Sequence, residues 1–230
     1  MIGNRWMYLL LLSALVAPAR SQDGIIAFHF VNPGLPVPDF TLTIHEDGRG
    51  TYTATYIAPP PDSRYGPSYV AANATPATTK VTQAIILTPA TTAQLFERVR
   101  STDHFHNGCE SKARNIANTG AKTISYTGPD GTAQCTYNYS ENKAVAGLTD
   151  TFQGIAATLD EGRTLDLKHK YDRLGLDREM AALIDAIHEG RAVEVATIAP
   201  VLQSLRDDPQ VMERVRKRAA GLLEANPPPR

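Results

Sequence analysis

Cysteine, tryptophan and surplus charge are all scarce in this 230-residue chain. It holds two Cys and one Trp, and 23 Lys plus Arg against 24 Asp plus Glu leave a formal charge of -1. Two cysteines exclude a disulfide-dense miniprotein and a four-cysteine zinc site. The lack of a basic surplus argues against nucleic acid as a partner. No phosphate loop, dinucleotide fingerprint, Gly-x-Ser-x-Gly elbow or His-Glu-x-x-His run occurs. Nothing in the sequence asks for a cofactor. At 42% hydrophobic and 20% charged, the composition is that of a globular protein with a real core.

What is present begins at the N-terminus. Arg5 precedes the apolar run Tyr8–Val16, which is too short to span a bilayer. Small residues at 17, 19 and 21 then offer cleavage sites. Residues 1–21 read as a secretory signal peptide, cut after Ser21 or after Ala19. Its removal takes Arg5 and Arg20 and no acid, leaving net charge -3. No second apolar run of about 20 residues follows, so the mature form is expected to have no membrane span. The expected location is periplasmic or secreted. In an oxidising compartment Cys109 and Cys135, the sole pair, are expected to form a structural disulfide.

Strand patterns come first along the chain. Ile25–Val31 is β-rich, and Phe40–Ile44 and Thr51–Ile57 alternate around a Glu46-Asp47-Gly48 turn, a hairpin signature. Residues 58–78 break the pattern with Pro59, Pro60, Pro61 and Pro67. This stretch reads either as disordered or as a contact loop presenting Tyr65 and Tyr69. Val81–Leu87 is another strand. Thr88 caps a helix with Pro89 at its first position and Leu95, Phe96 and Val99 on its apolar face. Lys122–Thr127 and Thr132–Tyr139 form a second hairpin, with Cys135, Tyr137 and Tyr139 on one face.

From residue 145 the period becomes helical. Leu148, Phe152, Ile155 and Leu159 form one stripe, which Gly162 is expected to end or interrupt. Leu167, Tyr171 and Leu174 continue an apolar face. Gly175 is expected as a left-handed C-cap and Asp177 as the next N-cap. Met180, Leu183, Ile184 and Ile187 mark that helix; Ile198, Val201, Leu202 and Leu205 mark another. Asp208-Pro209 is expected to open the last helix, carrying Val211, Val215, Ala219 and Leu222. The sequence therefore predicts an α+β fold: two hairpins in a small, mostly antiparallel sheet with packing helices at 22–160, a helical appendage at 163–225, and a disordered tail at 226–230.

Candidate chemistry is thin. His104 and His106, at i and i+2, would share one side of an extended strand and offer two metal ligands, with His29, His45 or Glu110 as a third. The competing reading is a polar connection anchored by a buried Phe105. Asp160, Glu161, Asp166 and Asp172 interleave with Arg163, Lys168, Lys170 and Arg173, as on a solvated, paired face. Arg214, Arg216, Lys217 and Arg218 concentrate charge on the last helix, and Lys112, Arg114 and Lys122 form a polar, basic stretch beside Cys109.

Three stretches carry a resemblance: Lys112–Lys122, Cys135–Ser140 and Lys170–Asp177. Together they resemble stretches of exported proteins from soil bacteria of acidobacterial type, over roughly 80–225. That group has no established activity, so the resemblance implies an envelope or secreted setting. In element order the chain is also similar to small emfourin-like inhibitor domains, a likeness of fold alone. The expectation is a non-catalytic exported protein that binds a protein or cell-envelope component. The alternative is a metal-dependent or acid/base hydrolase using His104 and His106.

Overall fold

The structure, a computed structural model, describes residues 23–57, 77–105 and 108–229. The expected signal peptide and the candidate contact residues Tyr65 and Tyr69 lie outside the described residues, as does His106. Six strands, β1 (Ile25–Val31), β2 (Asp39–His45), β3 (Arg49–Ile57), β4 (Thr78–Ile86), β5 (Ala121–Gly128) and β6 (Gly131–Tyr137), form one antiparallel sheet in the order β4-β3-β2-β1-β5-β6. Among the described residues five α-helices accompany it: α1 (Pro89–Ser101), α2 (Lys143–Tyr171), α3 (Leu176–His188), α4 (Ala199–Asp207) and α5 (Glu213–Ala225). The class is α+β. Among the described residues no helix is long and apolar enough to cross a membrane.

Period-two alternation sends one set of side chains inward. Ile26, Phe28 and Phe30 of β1 register with Ile44, Leu42 and Phe40 of β2, and Tyr52 and Ala54 of β3 continue that face. The opposite face is polar, as one face of an antiparallel sheet commonly is. There a single row crosses all six strands: Thr82, Thr53, Thr41, His29, Thr123 and Thr136. Both hairpins form where expected. Gly48, at φ 84°, supplies the left-handed residue of the first turn.

Thr88 caps α1 as read from the sequence, accepting from the Thr91 N–H at 3.4 Å. A second acceptor was not legible. Glu194, itself at φ 58°, accepts from the Thr88 N–H at 2.8 Å and the Thr88 hydroxyl at 2.6 Å, and also from the Thr91 hydroxyl. A carboxylate at a helix N-terminus satisfies free N–H groups and favours the dipole. It also ties the C-terminal half to the sheet half. Cys109 and Cys135 are bonded, with Cα atoms 6.2 Å apart, so the loop after α1 is joined to β6.

The long helix α2 holds the fold together. Asn142 caps it, accepting from the Ala144 N–H at 2.9 Å. Leu148, Phe152, Ile155 and Leu159 are buried on it, and Phe152 stacks on Phe28 with ring centroids 5.0 Å apart. The boundary suggested near 160–163 falls inside this helix, and one hydrophobic cluster runs from Ile26 to Ala219.

Several local expectations are corrected. Gly162 does not stop α2. A Cβ there would stand 2.4 Å from Ile198 Cγ2 and 3.0 Å from Ile198 Cβ, so the glycine permits close approach of the 195–198 turn. An exposed helical Gly→Ala change normally stabilises by about 1 kcal/mol. Gly162→Ala should instead destabilise by about 1–3 kcal/mol through overpacking, read as a lower urea midpoint. Gly175 is right-handed, at φ -74°, and caps α3 itself, while Asp172 accepts from its N–H at 3.1 Å. Asp177 therefore lies in the first turn of α3. Asp208 ends α4 and accepts from the Gln210 N–H at 2.8 Å; α5 starts only at Glu213, after Met212. Tyr139 lies past the end of β6 and is half exposed. Leu167, Tyr171 and Leu174 form no buried face: they are 39%, 83% and 86% exposed. The expected tail is described to residue 229, where Pro228 and Pro229 line a hollow with Ile86 and Pro200.

Candidate functional site

The backbone at His104 is not the extended strand that the two-histidine reading needs, and His106 lies outside the described residues. Asp103–Phe105 is a 3-10 turn with positive φ at Asp103 and Phe105, not a strand. Phe105 is the buried anchor. Of the other candidate ligands, His29 lies on the outer sheet face with Nε2 3.3 Å from Asp39 Oδ2. His45 sits four residues further along the register, roughly 13 Å away. Glu110 is exposed in the loop beside Cys109. Among the described residues no three His, Cys, Asp or Glu side chains are grouped to hold a metal ion.

A groove runs instead along one side of α2. Its helical wall is Ala146, Thr149, Asp150, Gln153, Ala156, Ala157 and Asp160. At 100° per residue these fall on one face. Two hollows meet at Gln153. The first, of about 250 Å³, is polar and self-satisfied. Its Lys122 is 5% exposed, and the ammonium donates to Thr119 Oγ1 and the Gly120 carbonyl, both at 3.0 Å, and to the Asn138 carbonyl at 2.8 Å. Burial lowers its pKa. Lys122 is thus a buried tie between loops rather than part of a basic surface with Lys112 and Arg114. Tyr137 and Thr149 share a hydroxyl hydrogen bond of 2.6 Å, and burial pushes the phenol up to about 12.

The second hollow, of about 270 Å³, is apolar. Phe30, Phe40 and Tyr52 form its floor, with Phe40 centred 5.2 Å from Phe30 and 6.0 Å from Tyr52. Leu35, Pro36 and Val37 form its outer wall, and Leu35 is 42% exposed. Its volume lies below that of drug-sized ligand pockets and suits one or two large side chains. Asp160 closes one end, with Oδ1 3.6 Å from Arg163 Nε, while Arg163 stacks 3.7 Å from the centre of the Tyr56 ring. Burial raises the pKa of Asp160, offset in part by Arg163.

Asp160 and Glu161 are therefore corrected from a solvated face to a half-buried cluster. Glu161 turns away from the groove toward α3. Its carboxyl is pushed up to about 7, first by burial and then by the Glu179 carboxylate beside it. The two neighbours do not converge on one ligand as a general acid and base must. The remaining acids do pair as expected: Asp166 with Lys170 at 2.6 Å and Asp172 with Lys168 at 3.4 Å. On α5, Arg214 and Arg218 both hold Asp177, at 2.8 and 2.9 Å, which ties these two to α3, while Lys217 pairs with Glu213 at 2.8 Å.

Glu161 gives a pH prediction. A carboxyl whose folded pKa lies above its ordinary 4.5 stabilises the fold while protonated. That contribution is whole below pH 4.5 and is lost as pH rises through about 7. Because the group is half exposed, solvent screening reduces it to about 1 kcal/mol. Glu161→Gln should flatten urea stability across this window. A variant losing stability with rising pH as steeply as wild type would assign the slope to other groups.

Comparison with models of known protein families and with curated proteins gives no match. The groove itself was missed in the sequence because its walls come from β1, β2, β3, β5, β6, the 32–38 loop and α2. One signal was available: Gln153, Ala157 and Asp160 recur at helical spacing beside the apolar stripe of Leu148, Phe152, Ile155 and Leu159.

Proposed function

We propose that the protein is an exported, non-catalytic binding module that holds a protein or cell-envelope component in the groove along α2. The observation that carries this is the apolar hollow: three aromatic rings floor it, an exposed Leu35 walls it, and it is open to solvent. A concave apolar surface with a few polar groups at its edge is the usual shape of a binding site. Export is supported by the apolar run at 8–16 and by the Cys109–Cys135 bond, which oxidising compartments favour.

The test is capture from envelope extract by immobilised mature protein. Ala157→Arg fills the hollow from its helical wall, and Leu35→Asp places a charge on its rim. Both sites are at least partly exposed, so the fold is kept. A partner retained by wild type and lost from both variants is the expected result. Equal capture by all three proteins would overturn the reading.

A further inference from the structure

The groove and the exposed tip of α2 share a face. Leu167, Tyr171 and Leu174 are three large apolar side chains left in solvent, two of them more than four-fifths exposed. At 100° per residue, Gln153, Ala157, Asp160, Thr164, Leu167 and Tyr171 fall within roughly 80° of one another on the helix. The hollow and the tip are also symmetric about Gly162. Ala157 and Leu167 each lie five residues from it, and Gln153 and Tyr171 each lie nine. A two-fold axis at the level of Gly162 but on the opposite side of the helix, between Asp160 and Thr164, would run a second α2 antiparallel to the first. Leu167 would then face Ala157, and Tyr171 would face Gln153, in both directions at once. That reciprocity is what a two-fold interface requires.

We infer that the occupant of the groove is the Leu167–Leu174 tip of a second copy of this chain, in an antiparallel two-fold dimer. The inference rests on the binding reading above and names its partner. Tyr is a favoured anchor for an apolar pocket. The charges agree with the register. Asp150, exposed at the groove's far end, meets the level of the tip where Arg173 stands, which also holds its own Asp208 at 3.3 Å. At the axis each Asp160 keeps its own Arg163 at 3.6 Å, and Lys170 keeps Asp166. No unpaired like charges are set together. The area fixes the strength. The shared stretch of α2 is about 30 Å long and 10 Å wide, or about 300 Å² per copy. The 32–38 loop and the 172–175 turn add to it, and the total stays below the roughly 800 Å² per partner of a standard complex. An interface of that size makes a weak, concentration-dependent dimer.

The experiment is sedimentation equilibrium of the full chain lacking only residues 1–21, at concentrations from about 1 to about 200 µM. Wild type should pass from monomer to dimer across that range. Tyr171→Asp with Leu174→Asp, and separately Ala157→Arg, should remain monomeric, while Thr53→Asp on the outer sheet face should dimerise like wild type. A wild type that stays monomeric, or a dimer that all the variants retain, overturns the inference. Such a monomer that still captures an envelope partner through Ala157 and Leu35 leaves the binding reading standing. One that captures nothing ends both.

Discussion

Phe152→Ala is expected to lower stability by about 3–5 kcal/mol, more than any other single side-chain truncation on α2. Phe152 is fully buried where the helix crosses the sheet, its ring parallel to that of Phe28 within 2°. Two quantities set the effect. The lost apolar burial and the cavity left behind supply most of it, because close-packed neighbours collapse only in part. The ring pair contributes about 0.5–1.5 kcal/mol within that total. For a chain of this length the change corresponds to a fall of about 10 °C in Tm, read by calorimetry. Leu174→Ala is the control. At 86% exposure it should move stability by less than about 0.5 kcal/mol in the monomer. A Phe152→Ala protein as stable as wild type would mean that α2 does not pack on β1 as described.

Loss of the disulfide is the second large effect. Cys109 and Cys135 are 26 residues apart, and closing a loop of that length restricts the unfolded chain by about 3.5 kcal/mol. The paired Cys109→Ala and Cys135→Ala variant should lose about that much, as should wild type in a thiol reductant. The unfolded state carries the change, so the urea slope should also rise as the freed chain exposes more surface. The folded protein has its own use for the bond. Cys109 is buried beside Phe105, and Ser111 donates its N–H to the Tyr139 carbonyl at 2.9 Å, so the loop after α1 lies against the end of β6. Equal stability of reduced and oxidised protein would show that this loop is held without the bond.

These two effects also show where the sequence was readable. Phe152 stands in an unbroken helical stripe, and Cys109 had one partner to find, so both were legible from spacing alone. The hairpins were legible because turn chemistry is local: Asp47-Gly48 needs no distant partner. Leu167, Tyr171 and Leu174 show the limit. Their spacing is as regular as that of Leu148, Phe152 and Ile155, and period alone does not say which stretch of a helix has something packed on it. Gly162 fails for a related reason. Glycine's local propensity says stop, while Ile198, 36 residues later, says approach. Propensity is a weak prior where tertiary contacts decide. Glu194 was invisible for the same cause, since its partners Thr88 and Thr91 lie more than 100 residues earlier. The candidate site was the least legible part. Asp160 and Glu161 sit in a run of alternating charges that reads as solvent-facing, and only the arrival of β3 and α3 beside them makes their carboxyls half-buried.

The claim that the outward face of α2 is the working surface is tested most directly by a photo-crosslinking residue in place of Ala157, with a second probe in place of Thr53 on the outer sheet face. Both proteins are exposed to envelope extract and to excess unlabelled copies of the chain, and the adducts are mapped by mass spectrometry. The account predicts adducts from position 157, on a second copy's 167–174 segment or on an envelope component, and background labelling from position 53. Strong labelling from position 53 with none from position 157 would contradict it.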